Sequence, residues 1–179
     1  LQDQTIPNHQ IKHHIQKWFV LSTLTSRYIG SPESVMSRDI KSITEKGFVN
    51  FFEEIEASAL SDTFWNITLP QALETSSTNS PAFNTFLAAQ INLNCNSLFM
   101  HGTMVADLLN ISGDVHHIFP KAYLRGNGVN TKIKYNQVAN YIYLDTQVNK
   151  AIRDDAPNIY FGKVLDQCNT KNVVIGNIT

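Results

Sequence analysis

The stretch from Asp114 to Arg153, DVHHIFPKAYLRGNGVNTKIKYNQVANYIYLDTQVNKAIR, constrains this chain more than any other. Val115 to Phe119 is a short β-branched and aromatic run stopped by Pro120. Proline cannot donate to a sheet ladder, so the run reads as a strand that cannot continue. About twenty residues rich in Gly, Asn and Lys follow. A loop that long inside a compact unit is usually functional. Tyr141 to Leu144 reads as a second strand. Asp145 is a good N-cap, and Thr146 to Arg153 reads as a helix. The order is strand, loop, strand, helix.

That order can gather four polar groups. His116 and His117 stand at the end of the first strand. Neighbouring strand residues face opposite ways, so the two rings are expected to divide their tasks: one binds a metal, the other accepts a proton. Asn140 stands at the edge of the loop, where its side chain can hold an imidazole or the loop backbone. Asn149, in the first turn of the helix, points back toward the strands.

His116-His117-Ile118-Phe119-Pro120, then Asn140, then Asn149, resembles the HNH (ββα-metal) nuclease motif. The resemblance extends further. HHIFPKAYL, YNQVANYIYLDTQVNKAI and DDAPNIYF are similar to the C-terminal nuclease domain of GmrSD-like, modification-dependent (type IV) restriction endonucleases. The upstream WFVLSTLTSRYIGSPESVMSRDIK resembles the helical segment that precedes the motif there. The implied fold is α+β and mostly α. Residues 1–110 would form a helical subdomain. Residues 111–179 would form the HNH subdomain with a C-terminal helix, packed with the first as one structural unit.

The resemblance implies a metal-dependent DNA endonuclease acting against phage or other modified foreign DNA in the cytoplasm. His117 would be the general base, because an imidazole with a pKa near ~6.5 suits proton transfer at neutral pH. His116 and Asn149 would bind one divalent ion against the scissile phosphate. Asn140 would orient His117 or pin the loop. Many magnesium-dependent members carry Asp where His116 stands. Imidazole suits Zn²⁺ or Ni²⁺ and oxygen ligands suit Mg²⁺ or Mn²⁺; Mg²⁺ or Mn²⁺ is the expectation. Asp114, on the same strand face as His116, can add a carboxylate or simply serve the turn after Gly113. A nucleotide-binding domain accompanies such nuclease domains, and this chain contains neither GxxxxGK[ST] nor GxGxxG. The start at Leu1 and the abrupt VVIGNIT ending suggest a fragment of a longer protein.

Charge placement is consistent with a nucleic-acid partner. Residues 47–110 carry six acids and no Lys or Arg, whereas residues 111–179 carry eight Lys or Arg against five acids. Lys121, Arg125, Lys132, Lys134, Lys150 and Arg153 can meet phosphates; Lys121, Arg125, Lys150 and Arg153 are the first choice. No apolar run approaches a membrane span, and the polar opening is no signal peptide. Cys95 and Cys168 form neither a disulfide framework nor a metal pattern; buried free thiols are expected.

The first half reads as helical. Gln10 to Tyr28 has apolar residues at helical spacing and ends before Gly30. Ser31-Pro32-Glu33 starts a second helix that runs to about Thr44. Phe48 to Leu60 is a third. Leu69-Pro70 opens a short helix, Thr75 to Ser80 is a mobile loop, and Ser80-Pro81 starts a helix to Asn92. Asn94 to Met100 is ambiguous between strand and turn. Thr103 to Leu109 and Pro157 to Gln167 are helical.

Other features read more plainly. His13-His14 is a surface pair on a helix, where neighbours diverge by about 100°. Glu53, Glu54 and Glu56 form a solvated face. The three Asn-x-Ser/Thr matches are chance. Arg27 and Tyr28 either contact DNA or pack the end of their helix. Two other functions fit the same residues: a non-catalytic DNA-binding or assembly module, and a stand-alone toxin or repair nuclease.

Overall fold

The structure, a computed structural model, describes residues 7–74, 77–111 and 113–179. It is mostly helical with one two-stranded antiparallel sheet, an α+β arrangement dominated by helix. Contacts divide the chain into a unit ending at Gln71 and a second running from Ala72 to Thr179. Residues 72–110 therefore belong with the motif-bearing unit.

The first unit is built on α1 (Asn8–Leu24), α2 (Pro32–Lys46) and α3 (Phe48–Ala59). A π-helical turn at Phe64–Thr68 then leads into α4 (Leu69–Leu73). α1 stops short of Tyr28. Thr25 turns its hydroxyl back onto the Leu21 carbonyl at 2.8 Å, and Ser26 takes a positive φ of 55°. Hydroxyl side chains that compete for backbone groups in this way end helices. Ser31 precedes α2, but its side chain makes no capping bond; Pro32 at the first turn sets the start instead.

Trp18 packs edge-on against Tyr28, Phe48 and Phe52, and its ring centroid lies 5.1 Å from that of Phe51. Beside this cluster Arg27 donates to both Asp39 oxygens at 2.8 and 2.5 Å, and the Tyr28 hydroxyl donates to the same carboxylate at 2.9 Å. The Arg27 guanidinium also lies over the Trp18 and Phe51 rings. Arg27 and Tyr28 thus pack the end of α1. Burial alone would raise the buried Asp39 carboxyl, but the hydrogen bonds from Arg27 and Tyr28 outweigh it and hold the carboxyl below its ordinary value.

The second unit opens with α5 (Pro81–Asn92), capped by the Ser80 hydroxyl, which accepts from the Phe83 amide at 3.1 Å. Ser77 to Ser80 form a turn before it; Thr75 and Ser76, part of the expected mobile loop, lie outside the described residues. The ambiguous stretch at 94–100 supplies one isolated antiparallel bridge, Asn96 to Met104, ahead of α6 (Val105–Leu108). Next come β1 (Gly113–His117), α7 (Lys121–Gly126), α8 (Lys132–Tyr135), a 3₁₀ turn at Val138–Asn140 and β2 (Tyr141–Asp145). The chain ends with α9 (Thr146–Ile152) and α10 (Pro157–Thr170), followed by a tail.

Around β1 the structure departs from the sequence reading. β1 begins at Gly113 and ends at His117, so Ile118 and Phe119 have already left it. A Cβ at Gly113 would strike the Tyr143 ring, so glycine leaves that ring room to lie over this end of the sheet. The expected loop is also not irregular throughout. Pro120 serves as N-cap for α7, whose Lys-Ala-Tyr-Leu-Arg run has good helix formers, and α8 follows.

The core of this unit joins Leu144, Val148, Ile152, Tyr160 and Val164 to Phe99 and Ile175. Leu144 and Ile152 are fully buried, worth about 1.5–3 kcal/mol each relative to exposure. Gln167 fastens the tail. Its amide nitrogen donates to the carbonyls of Ile175 and Ile178 at 3.0 and 2.6 Å, and its oxygen accepts from the amides of Val174 and Ile175 at 2.6 and 2.8 Å. Cys95 and Cys168 are free and half-buried. Among the described residues no helix is long and apolar enough to cross a membrane.

Candidate functional site

The register of the sheet places the histidines. His116 lies opposite Ile142 and His117 opposite Tyr141 in the antiparallel pairing. Successive residues alternate faces, so the two rings leave the sheet on opposite sides. His116 turns toward α9 and α10. It is 6 % exposed, its Nδ1 lies 2.6 Å from Asn149 Oδ1, and its ring meets the Tyr160 ring edge-on. Asp145 sets this geometry by capping α9: its carboxylate accepts from the Gln147 and Val148 amides at 2.7 and 3.3 Å. Asn149 follows within the first turn and a half.

His117 turns the other way, into a cleft of about 410 Å³ lined by Val115, Lys121, Lys132, Asn136 and Tyr141, with Ser77 and Thr78 beside them. Its Nε2 lies 2.8 Å from Asn136 Oδ1, and the Tyr141 ring stands edge-on to it at 4.9 Å. Burial pushes the His117 pKa below 6.5. The hydrogen bond to Asn136 opposes that shift, while the Lys121 and His116 charges add to it. A neutral ring facing two ammonium groups can accept a proton next to a bound phosphate.

Asn140 pins the loop. Its Oδ1 accepts from the Phe119 amide at 2.7 Å, and its Nδ2 donates to the Phe119 and Tyr135 carbonyls at 3.1 and 2.9 Å. One buried side chain thus ties the exit from β1 to the end of α8. The Tyr160 hydroxyl adds a second clasp, donating to the Ile118 carbonyl at 2.6 Å; burial pushes this phenol up to about 12.

The four candidate phosphate contacts separate. Lys121 lines the His117 cleft. Lys150 and Arg153 are exposed on and just after α9, on the Asn149 element. Arg125 is engaged within the fold: it donates to the Tyr135 hydroxyl at 2.8 Å, and its guanidinium lies over that ring. Lys132, named with the wider basic set, reaches the cleft instead. Asn136 and Tyr141 were not singled out by sequence. Their signal was only proximity to Asn140, and nothing local says that Asn136 reaches His117 nineteen positions away.

The donors available to a metal are an imidazole and an amide oxygen. His116 Nε2 is buried and finds no hydrogen-bond partner in the protein, so the ring is not committed on both sides. Burial pushes the His116 pKa down. The Asn149 hydrogen bond and the charge of Asp154 oppose that shift, and a neutral ring is the ligating form. Asp154 is therefore the acid that His116 senses, while Asp114 lies half-buried on β1 opposite Leu144. Among the described residues no three His, Cys, Asp or Glu side chains gather into a metal-holding group. The two donor atoms that stand side by side are His116 Nδ1 and Asn149 Oδ1, 2.6 Å apart; an imidazole nitrogen and an amide oxygen are both donor types that divalent ions accept.

No family model, curated protein or solved structure matches the chain.

Proposed function

We propose that this chain is a DNA endonuclease domain of the ββα-metal (HNH) kind, hydrolysing phosphodiester bonds with His117 as general base. The observation that carries the reading is the division of the two histidines. His116 meets Asn149 at the helix, and His117 stands in a cleft with Lys121 and Lys132. In this reading His117 takes a proton from the attacking water. The new O–P bond forms as the bond to the 3′ oxygen breaks, and that oxygen takes up a proton from solvent. Lys121 and Lys132 hold the phosphate, and Asn140 keeps the loop between them closed. His116 and Asn149 would hold a divalent ion, which when bound supplies charge stabilisation to the phosphate and leaving oxygen. The resemblance to GmrSD-like enzymes adds modified or phage DNA as substrate and a nucleotide-binding domain as partner.

The test is nicking of supercoiled plasmid with Mg²⁺, Mn²⁺, Ni²⁺ or EDTA, beside His117→Ala and Asn149→Ala. Nicking should need a divalent ion and fall by about 10²–10⁴-fold when His117 loses its base. Equal nicking by wild type and both variants would rule this site out.

A further inference from the structure

Among the polar groups of the His117 cleft that the nuclease reading has not used, Asn136 is the one that touches the His117 ring through a hydrogen bond. Asn136 is 8 % exposed, and its Oδ1 lies 2.8 Å from His117 Nε2. It is held firmly on its own side. Its backbone N–H donates to the Lys132 carbonyl at 2.9 Å at the end of α8, and Asn140 Nδ2 donates to the carbonyl of the preceding residue, Tyr135, at 2.9 Å. The Tyr141 ring closes the space beside the imidazole.

A neutral imidazole carries its proton on one nitrogen and its lone pair on the other. A carbonyl oxygen at hydrogen-bond distance from Nε2 accepts a proton there. That commits Nε2 as the donor and leaves the lone pair on Nδ1. Building on the nuclease reading of this cleft, we propose that Asn136 is the positioning residue of His117: it fixes the ring as the Nε2–H tautomer and presents Nδ1 as the atom that takes the water proton. Loss of the acceptor frees the ring to rotate and to exchange tautomers, and only part of the population then presents a lone pair to water. Substrate phosphate contacts, which belong to Lys121 and Lys132, stay in place. The cost therefore falls on kcat rather than on KM.

The test uses the full chain labelled with ¹⁵N at histidine, and long-range ¹H–¹⁵N correlation spectra at pH 8, with Asn136→Ala and Asn136→Asp compared. In the wild type His117 should show a protonated Nε2 and an unprotonated Nδ1. The Ala variant should show averaged nitrogen shifts, and the Asp variant, which keeps an acceptor oxygen, should restore the Nε2–H form. Plasmid cleavage should lose about 10–100-fold in kcat in the Ala variant, the scale of losing an orienting hydrogen bond. KM should stay within about twofold and the Asp variant should recover kcat, as expected when binding and positioning are separate. A wild-type Nδ1–H tautomer would mean that the amide nitrogen faces the ring and would overturn the proposal. An Ala spectrum identical to wild type would overturn it too. A wild type with the Nε2–H tautomer that cuts no DNA overturns the nuclease reading and leaves the hydrogen bond standing.

Discussion

Replacing Asn140 with Ala removes three hydrogen bonds at one stroke. The bond to the Tyr135 carbonyl is fully buried, and the two to the Phe119 backbone are partly buried. A buried acceptor left unsatisfied costs about 1–3 kcal/mol, and each partly exposed bond is worth about 1 kcal/mol net. Asn140→Ala should therefore destabilise the second unit by about 3–5 kcal/mol, and the lower figure alone lowers Tm by roughly 12–20 °C in a unit of this size. Both tryptophans, Trp18 and Trp65, lie in the first unit, so tryptophan fluorescence would miss the change. Near-UV circular dichroism of the tyrosines, five of six of which lie in the second unit, reports mainly that unit through a urea titration, and its midpoint should fall by about 1.5 M or more. Asn140→Asp makes the reasoning sharper. The carboxylate keeps the acceptor for the Phe119 amide but faces the Phe119 and Tyr135 carbonyls with negative charge and no donor. Its folded pKa must rise above the unfolded ~3.9. The Asp variant then retains most stability below pH 4 and loses it as pH rises. An Ala variant within about 0.5 kcal/mol of wild type would refute the clasp, as would an Asp variant that gains stability relative to wild type from pH 4 to pH 7.

Burial holds His117 below its ordinary pKa, so the acid limb of the cleavage rate should lie below pH 6.5, with a plateau through neutral pH; a limb centred above pH 7 would contradict that environment. The same depression in His116 and His117 means that the folded state binds fewer protons than the unfolded one, so their contribution to stability is lost as pH falls below about 6.5. Asp39→Asn should cost the first unit about 3 kcal/mol, the low end for breaking a buried pair because Arg27 is partly exposed; tryptophan fluorescence in urea reads it directly. The wild-type carboxyl is held down, so that stability is present above about pH 4 and lost as pH falls through the folded pKa, a dependence the Asn variant should lack.

Much of this arrangement follows from local chemistry and was legible in the sequence. Pro120 ends an extended run, Asp145 caps a helix, and the adjacency of His116 and His117 forces them apart once the run is extended. What was hidden depends on closure at a distance. The Asn136 contact exists only after α8 has folded back over β1, and no spacing rule encodes it. Arg125 carries the same charge in sequence whether its guanidinium is free or stacked on Tyr135; only the fold decides. α7 was hidden because Gly, Asn and Lys dominate the composition around it and obscure a short run of good helix formers after a proline. Asp154 lies just past α9 with nothing in sequence to connect it to His116, yet its charge reaches that ring.

The sheet has just five residue pairs, and its register has a chemical consequence. Side chains on a strand have a period of two, so a slip by one residue would exchange the two rings. His116 would enter the cleft with the lysines, and His117 would meet Asn149. Such a chain would keep its composition, and would have lost the placement of each ring. Tyr143 closing over Gly113 at one end and the Asn140 clasp at the other therefore act as phase markers. What they protect is the identity of each imidazole more than the strength of the fold.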